Sequence, residues 1–274
     1  HFMEFGLQIR ERDQYELKAA DMGTVMHEAL EKFSKKLQEN GETWKTVTDD
    51  TRDRLIEECV EETMADYGNT IFQSSSRNQY RIIRVKRILK RTVWALQQQI
   101  RQGEFEPGEF EVSFSMEDSL SAINIDLSEH EKMRLRGRID RVDLCETDDK
   151  VYVKIIDYKT GNTSLDLVAL YYGLQLQLVL YLEAAMAMAA KRNPNRKLIP
   201  AGIYYYNMKD PIVSGFDMTK EEIEAKQQKE LRMNGLTSTE KASLLLIDAE
   251  GGNVVSGLEY KKDGSLSSRA LVAN

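Results

Sequence analysis

Gly137-Arg138-Ile139-Asp140-Arg141-Val142-Asp143 and, after a short gap, Lys154-Ile155-Ile156-Asp157-Tyr158-Lys159-Thr160-Gly161 lie near the middle of this 274-residue chain. From Val151 to Ile156 every residue except Lys154 is β-branched or aromatic, the composition of a strand. A period of two then puts Asp157 and Lys159 on the same face of that strand. In the preceding strand Asp140 and Asp143 are three positions apart and point to opposite faces, so either is a candidate partner for Asp157.

Working outward, Glu109–Met116, Ala122–Leu127 and Met133–Glu146 read as strands that join Val151–Tyr158 in a mostly antiparallel sheet with short polar turns. Leu165–Lys191 reads as one long helix packed on that sheet. After it come a strand at Ala201–Met208, a turn at Asp210-Pro211 and a charged helix near Thr219–Arg232. Upstream, Asp21 can cap a helix over 21–40 in which Met26, Leu30, Phe33 and Leu37 recur on one face before Asn40-Gly41 stops it. Two further helices are predicted at Asp49–Tyr67 and Ser76–Gln102. The expected fold is α/β: a mixed sheet flanked by helices, with an N-terminal helical layer. One domain is expected over 1–274, divided into a helical layer at 1–105, a catalytic α/β core at 106–235 and a polar C-terminal extension at 236–274. In that extension Gly251-Gly252 and Asp263-Gly264-Ser265 read as turns between weak strands.

Composition narrows the function classes. The net charge is −7, so bulk charge gives no hint of nucleic acid, and a polyanion site has to be a local basic patch. One such patch is present: Arg77, Arg81, Arg84, Arg87 and Arg91 follow one another at spacings of four, three, three and four along the third predicted helix, with no acid between them. A stripe of this kind is ordinarily a solvated helix face; beside a phosphodiester site it suits a phosphate backbone, because guanidinium binds phosphate bidentately. There are two cysteines, Cys59 and Cys145, and no secretory leader, so a disulfide framework is not expected and the cytoplasm is the default compartment. No apolar run approaches the roughly 20 residues that span a bilayer. The most apolar stretch, Leu174–Ala190, carries Gln175, Gln177 and Glu183 and reads as a buried helix.

Two carboxylates and a lysine on adjacent strands suit hydrolysis of a phosphodiester. Mg²⁺ takes oxygen ligands and is typically held by one or two carboxylates together with substrate phosphate. Lysine, cationic at its ordinary pKa of ~10.4, can stabilise a hydroxide or the developing charge; to act as a base it would need a depressed pKa. Asp-x-Lys alone is weak, since an Asp before Lys-Thr-Gly is often only a turn former. Gly23-Thr24-Val25-Met26-His27 adds a helical histidine, more often a packing residue but also able to ligate metal as neutral imidazole. Gln177 and Tyr181, four apart, share a helix face, either as a core pair or as groups that orient a phosphate or the lysine.

In that order, Gly23-Thr24-x-x-His27, Gly137-x-x-Asp140, Asp157-Tyr158-Lys159 and Gln177-x-x-x-Tyr181 resemble the RecB family of PD-(D/E)xK nucleases. The resemblance implies a restriction-endonuclease-like core. It selects Asp140 over Asp143 and makes His27, Asp140, Asp157 and the Tyr158 backbone carbonyl metal ligands. Asp140, Asp157, Lys159, Gln177 and Tyr181 form the catalytic set, Mg²⁺ or Mn²⁺ is the metal, and Glu111 corresponds to a further family acid. Tyr172-Gly173-Leu174-Gln175-Leu176-Gln177 and Pro200-Ala201-Gly202 leading to Asp210-Pro211 extend the similarity to AddB-type nuclease domains over most of 5–215. Such domains imply exonuclease action on DNA ends in double-strand-break repair and recombination. A single strand would enter the site, and the domain would work beside an AddA-like helicase-nuclease subunit.

The chain departs from that pattern in one respect. AddB-type domains usually carry four cysteines for a 4Fe–4S cluster, and Cys59 and Cys145 match none of them. The chain is therefore expected to be an excised domain with frayed ends and reduced DNA affinity. Two rival readings are a non-catalytic DNA-binding scaffold of the same fold, which would be expected to have lost Lys159 or an acid, and a free-standing Cas4-like nuclease, which fits the residues around Gln177 less well. No Gly-x-x-x-x-Gly-Lys-[Ser/Thr] loop is present, so ATP hydrolysis is not expected of this chain.

Overall fold

The strand that carries Asp157 forms the middle of the sheet because it has little to offer water. A computed structural model of the chain describes residues 19–66, 76–114, 123–126, 132–135, 137–213, 217–249, 255 and 272–273. In chain order its elements begin with helices α1 (Ala19–Glu39), α2 (Asp49–Asp66) and α3 (Ser76–Arg101). Strands β1 (Glu106–Phe114), β2 (Ile123–Asp126), β3 (Lys132–Leu135), β4 (Gly137–Glu146) and β5 (Lys150–Lys159) follow. Then come α4 (Leu167–Tyr171), α5 (Gln177–Arg192), β6 (Lys197–Asn207), α6 (Lys220–Glu230), β7 (Asn234–Ser238), α7 (Lys241–Ile247) and β8 (Val272–Ala273).

Six strands form one mixed sheet in the order β1-β4-β5-β6-β7-β8, and β2 pairs with β3 in a separate two-stranded sheet. β5 pairs antiparallel with β4 and parallel with β6, so both its edges are occupied. Both its faces are covered as well, and Val151 through Tyr158 are buried, as expected of a strand with helices on either side. On one face, Tyr152, Ile156 and Tyr158 join the core of α1, α2 and α3 around Leu30, Phe33, Ile56 and Leu89. On the other, Val153 and Ile155 pack with Leu178, Ala185 and Met188 of α5.

Four expectations need correction. The single helix read over Leu165–Lys191 is two helices, Leu167–Tyr171 and Gln177–Arg192. Gly173 breaks them apart at φ +75°, a left-handed conformation that a helix cannot continue through. The Leu174–Ala190 stretch is only half-buried: Leu174, Leu176 and Val179 are exposed while Leu178, Ala184 and Ala185 face the sheet. The strand read as Met133–Glu146 is divided between β3 and β4, which belong to different sheets. Finally, Lys241–Ile247 is a helix in the region read as weak strands, its Leu244 and Ile247 buried. The turns expected at 251–252 and 263–265 lie outside the described residues. Among the described residues no helix is long and apolar enough to cross a membrane.

Candidate active site

The site opens where two strands part. The β4–β5 ladder ends at the pair Arg141 and Ile156, whereas β5 keeps pairing with β6 as far as Lys159 and Asn207. Asp140 and Asp157 lie one residue beyond the last β4–β5 pair. In place of a β4 carbonyl, the Tyr158 N–H donates to Oδ2 of Asp140 at 2.6 Å. The N–H and C=O of one strand residue point to the same neighbour, so the Tyr158 carbonyl is also turned toward the gap left by β4.

Two further side chains close on this point. His27 reaches from α1, its Nδ1 3.4 Å from Asp140 Oδ1 and 3.5 Å from Glu111 Oε1. Glu111 has φ 50°, a conformation a glutamate adopts only where its surroundings impose it. At that residue β1 changes face: Phe110 packs against the core of α1–α3, while Val112 and Phe114 pack against that of α5. The Arg138 guanidinium Nε lies 2.6 Å from Glu111 Oε2.

Donor atoms of His27, Glu111 and Asp140 all lie within 4.8 Å of one another. Asp157 Oδ2 and Glu111 Oε2 are buried, each against one cation, Lys159 Nζ and the Arg138 guanidinium. An imidazole nitrogen with carboxylate oxygens is a donor set suited to a divalent cation. Repulsion among these carboxylates favours protons. Burial disfavours the charged imidazole, but Asp140 and Glu111 outweigh it and carry the His27 pKa up to about 9. Burial and the neighbouring Asp140 push Asp157 up to about 6, against the pull of Lys159.

Lys159 Nζ lies 2.7 Å from Asp157 Oδ2 and over the ring of Tyr205 at 5.5 Å. Partial burial works against its charge, yet Asp157 raises its pKa above the usual lysine value. Gln177, in the first turn of α5, accepts from Lys159 Nζ at 3.1 Å and donates to Asp157 Oδ1 at 3.0 Å and to the Tyr181 hydroxyl at 3.0 Å. The break at Gly173 thus sets Gln177 at a helix start. A Cβ on Gly137 would fall 2.6 Å from the Phe114 ring and 3.3 Å from that of Tyr181, which accounts for a glycine where β4 enters the site.

Of the sequence-predicted residues, His27, Asp140, Asp157, Tyr158, Lys159, Gln177 and Tyr181 come together, joined by Glu111. Asp143 does not: it is buried on the opposite face of β4 against Arg141 and Lys154. Arg138 and Tyr205 are neighbours that the sequence reading missed; the Arg beside Gly137 was the available signal for the first, and the second had none. The arginine stripe is divided. Arg81, Arg84 and Arg87 line a groove of about 670 Å³ with Met22, Met26 and Thr160, the residue after Lys159. Arg87 and Arg91 are drawn to Asp210, at 2.5 and 3.7 Å, while Arg84 makes no ion pair with a described residue. Cys59 and Cys145 are both buried and unbonded, and two thiols in separate elements do not make a four-thiolate cluster site.

Comparison with known proteins agrees with this geometry. Over its whole length the chain is 44% identical to a protein of Lachnoclostridium phytofermentans described as one of the subunits of an ATP-dependent helicase/deoxyribonuclease, and it covers 23% of that protein. It is 37% identical over 99% of its length to the protein of the same description from Alkaliphilus metalliredigens, covering 24% of it. The chain therefore spans about a quarter of the length of these curated relatives. The family model described as PD-(D/E)XK nuclease superfamily matches residues 1–250, and the chain belongs to that superfamily.

Proposed function

We propose that this chain is a divalent-metal-dependent deoxyribonuclease that removes nucleotides from DNA ends. The observation that carries the reading is the meeting of His27, Asp140 and Asp157 beside Lys159 at the parting of β4 and β5. His27, Asp140, Asp157 and the Tyr158 carbonyl are the residues that would hold Mg²⁺ or Mn²⁺. When bound, such an ion supplies Lewis-acid polarisation of the phosphate and a water of lowered pKa. The chain's own residues do the rest. Lys159 presents a fixed cation to the charge that develops on the phosphate. Gln177 ties that cation to Asp157, and Tyr181 tethers Gln177. Arg77, Arg81, Arg84, Arg87 and Arg91 face the DNA backbone, with Arg84 the readiest to take a phosphate.

The relatives' description, which names both a helicase and a deoxyribonuclease, supports the wider assignment. In that assignment the chain is the nuclease part of an AddB-type protein. It works in the cytoplasm with an AddA-like helicase-nuclease partner on linear ends in double-strand-break repair and recombination, and receives a single strand. A scaffold that had lost catalysis would have no need of a lysine held by Gln177 against Asp157. The test is release of nucleotides from linear and from covalently closed DNA with Mg²⁺. Cleavage of the linear form alone, lost in Asp157→Ala and in Lys159→Ala, is expected; equal cleavage by both variants would overturn the reading.

A further inference from the structure

Behind the site, on the opposite face of β4 and β5, lies a charged cluster that the proposed chemistry does not use. Arg141 is fully buried, and its Nε and Nη2 bind the two oxygens of Asp143 at 2.5 and 2.8 Å. Lys154 Nζ lies 3.0 Å from the same carboxylate. The Arg141 guanidinium stacks over Trp44 at 5.2 Å and Phe110 at 5.8 Å, and Lys154 lies over Phe105 at 4.7 Å. Two cationic side chains on one carboxylate in a core are a poor source of stability, because apolar residues of the same volume generally do as well or better.

What the cluster reaches, and an apolar core would not, is the Tyr158 phenol. The remaining Arg141 nitrogen, Nη1, donates to the Tyr158 hydroxyl at 3.3 Å. That ring meets the His27 imidazole edge to face at 5.9 Å and 87°, and the Tyr206 ring at 6.1 Å. The backbone of the same residue holds Asp140 through its N–H and follows Asp157 directly. One buried residue therefore touches or carries every group of the ligand set: His27 through its ring, Asp140 through its amide, Asp157 through its own peptide. We infer that Arg141 and Tyr158 are positioning residues that hold the metal-ligand geometry from behind the sheet, with Asp143 and Lys154 fixing the angle of Arg141. The inference rests on the metal-site reading above.

Mn²⁺ binding to the chain, followed by electron paramagnetic resonance without DNA, together with thermal melting, tests it. Tyr158→Phe keeps the ring packing and removes only the hydroxyl. It is expected to weaken Mn²⁺ binding roughly tenfold, the scale of outer-shell effects on metal sites, with a fall in melting temperature of only a few degrees, because Arg141 Nη1 loses its acceptor. Arg141→Met/Asp143→Leu/Lys154→Met replaces the cluster by apolar volume. It is expected to melt at or above the wild-type temperature and still to lose Mn²⁺ affinity to the same degree. Wild-type Mn²⁺ affinity in Tyr158→Phe overturns the inference, as does wild-type affinity in a folded triple variant; if the triple variant does not fold, Tyr158→Phe decides alone. If the wild-type chain itself binds no Mn²⁺, or binds it equally after Asp140→Ala, the metal-site reading has failed, a result distinct from either of these.

Discussion

A proton stands where the metal is proposed to bind, and its displacement is measurable. Burial disfavours the His27 imidazolium, but Asp140 and Glu111 raise its pKa to about 9, whereas metal ligation requires the neutral ring. At pH 7 the neutral fraction is then about one in a hundred, which costs the metal about 2.7 kcal/mol of affinity; at pH 8 it is about one in ten. Apparent Mn²⁺ affinity should therefore rise nearly tenfold from pH 7 to pH 8, with about one proton released per ion. Below about pH 6, where Asp157 also binds a proton, release should approach two. Isothermal titration calorimetry in two buffers of different ionisation enthalpy measures both quantities. In His27→Asn the slope between pH 7 and 8 should vanish and the affinity should be lower throughout. A wild-type affinity that stays flat from pH 7 to 8, with no proton released, would refute the reasoning. The same shifts set the stability of the metal-free fold. A raised His27 pKa contributes stability fully present below its ordinary 6.5 and lost as pH rises through about 9. The raised Asp157 pKa contributes stability present below its ordinary 3.8 and lost as pH rises through about 6.

Further outcomes are expected for five variants. Burial alone would raise the Asp143 carboxyl, but Arg141 and Lys154 hold it below its ordinary range; burial already holds Lys154 below its own, so Asp143→Asn leaves chiefly the buried Arg141 guanidinium without a counter-charge and should lower unfolding free energy by about 3–5 kcal/mol, measured by urea denaturation. Gln177→Ala releases Lys159 and Asp157 from their common tether and should reduce the single-turnover cleavage rate about 10- to 100-fold; a rate within twofold of wild type would remove Gln177 from the catalytic set. Arg84→Ala should reduce the slope of log affinity against log salt by about one, since it removes one phosphate contact. Arg91→Ala should change that slope less, and Asp210→Asn, which frees Arg87 and Arg91, should tighten DNA binding in a filter-binding assay.

Much of this arrangement is legible before folding. α1, α2 and α3 begin and end close to the boundaries that their apolar periodicity predicts, because each buries one stripe in the core they share, although Asp21 lies in the first turn of α1 and not at its cap. β5 is evident from its β-branched run, and a period of two correctly places Asp157 and Lys159 on one face. The missed features depend on contacts distant in sequence. The mostly apolar stretch from Leu174 to Ala190 does not reveal a helix start at Gln177; that comes from the backbone of Gly173 and from packing on one face only. By residue type and period alone Asp143 looks as good a ligand as Asp140; the family resemblance selects Asp140, and the structure gives Asp143 to Arg141 and Lys154. Glu111 is reached from the sequence only through the family resemblance, because its position depends on β1 changing face beside β4. The arginine stripe is real as a helical face, yet whether each guanidinium is available depends on Asp210, more than a hundred residues downstream.

Residue types and their spacing offered the candidate groups of this protein, an imidazole, carboxylates and an ammonium in fixed order on elements whose periods turn them inward, and the family resemblance chose among them. Local periodicity is a property of the backbone and needs no knowledge of the remainder of the chain. Only the tertiary structure decided that these groups meet, because their meeting depends on β4 leaving β5 after Arg141 and Ile156. There a main-chain hydrogen bond gives way to one from Tyr158 to the Asp140 carboxylate, and the space so opened admits His27 from a helix more than a hundred residues away.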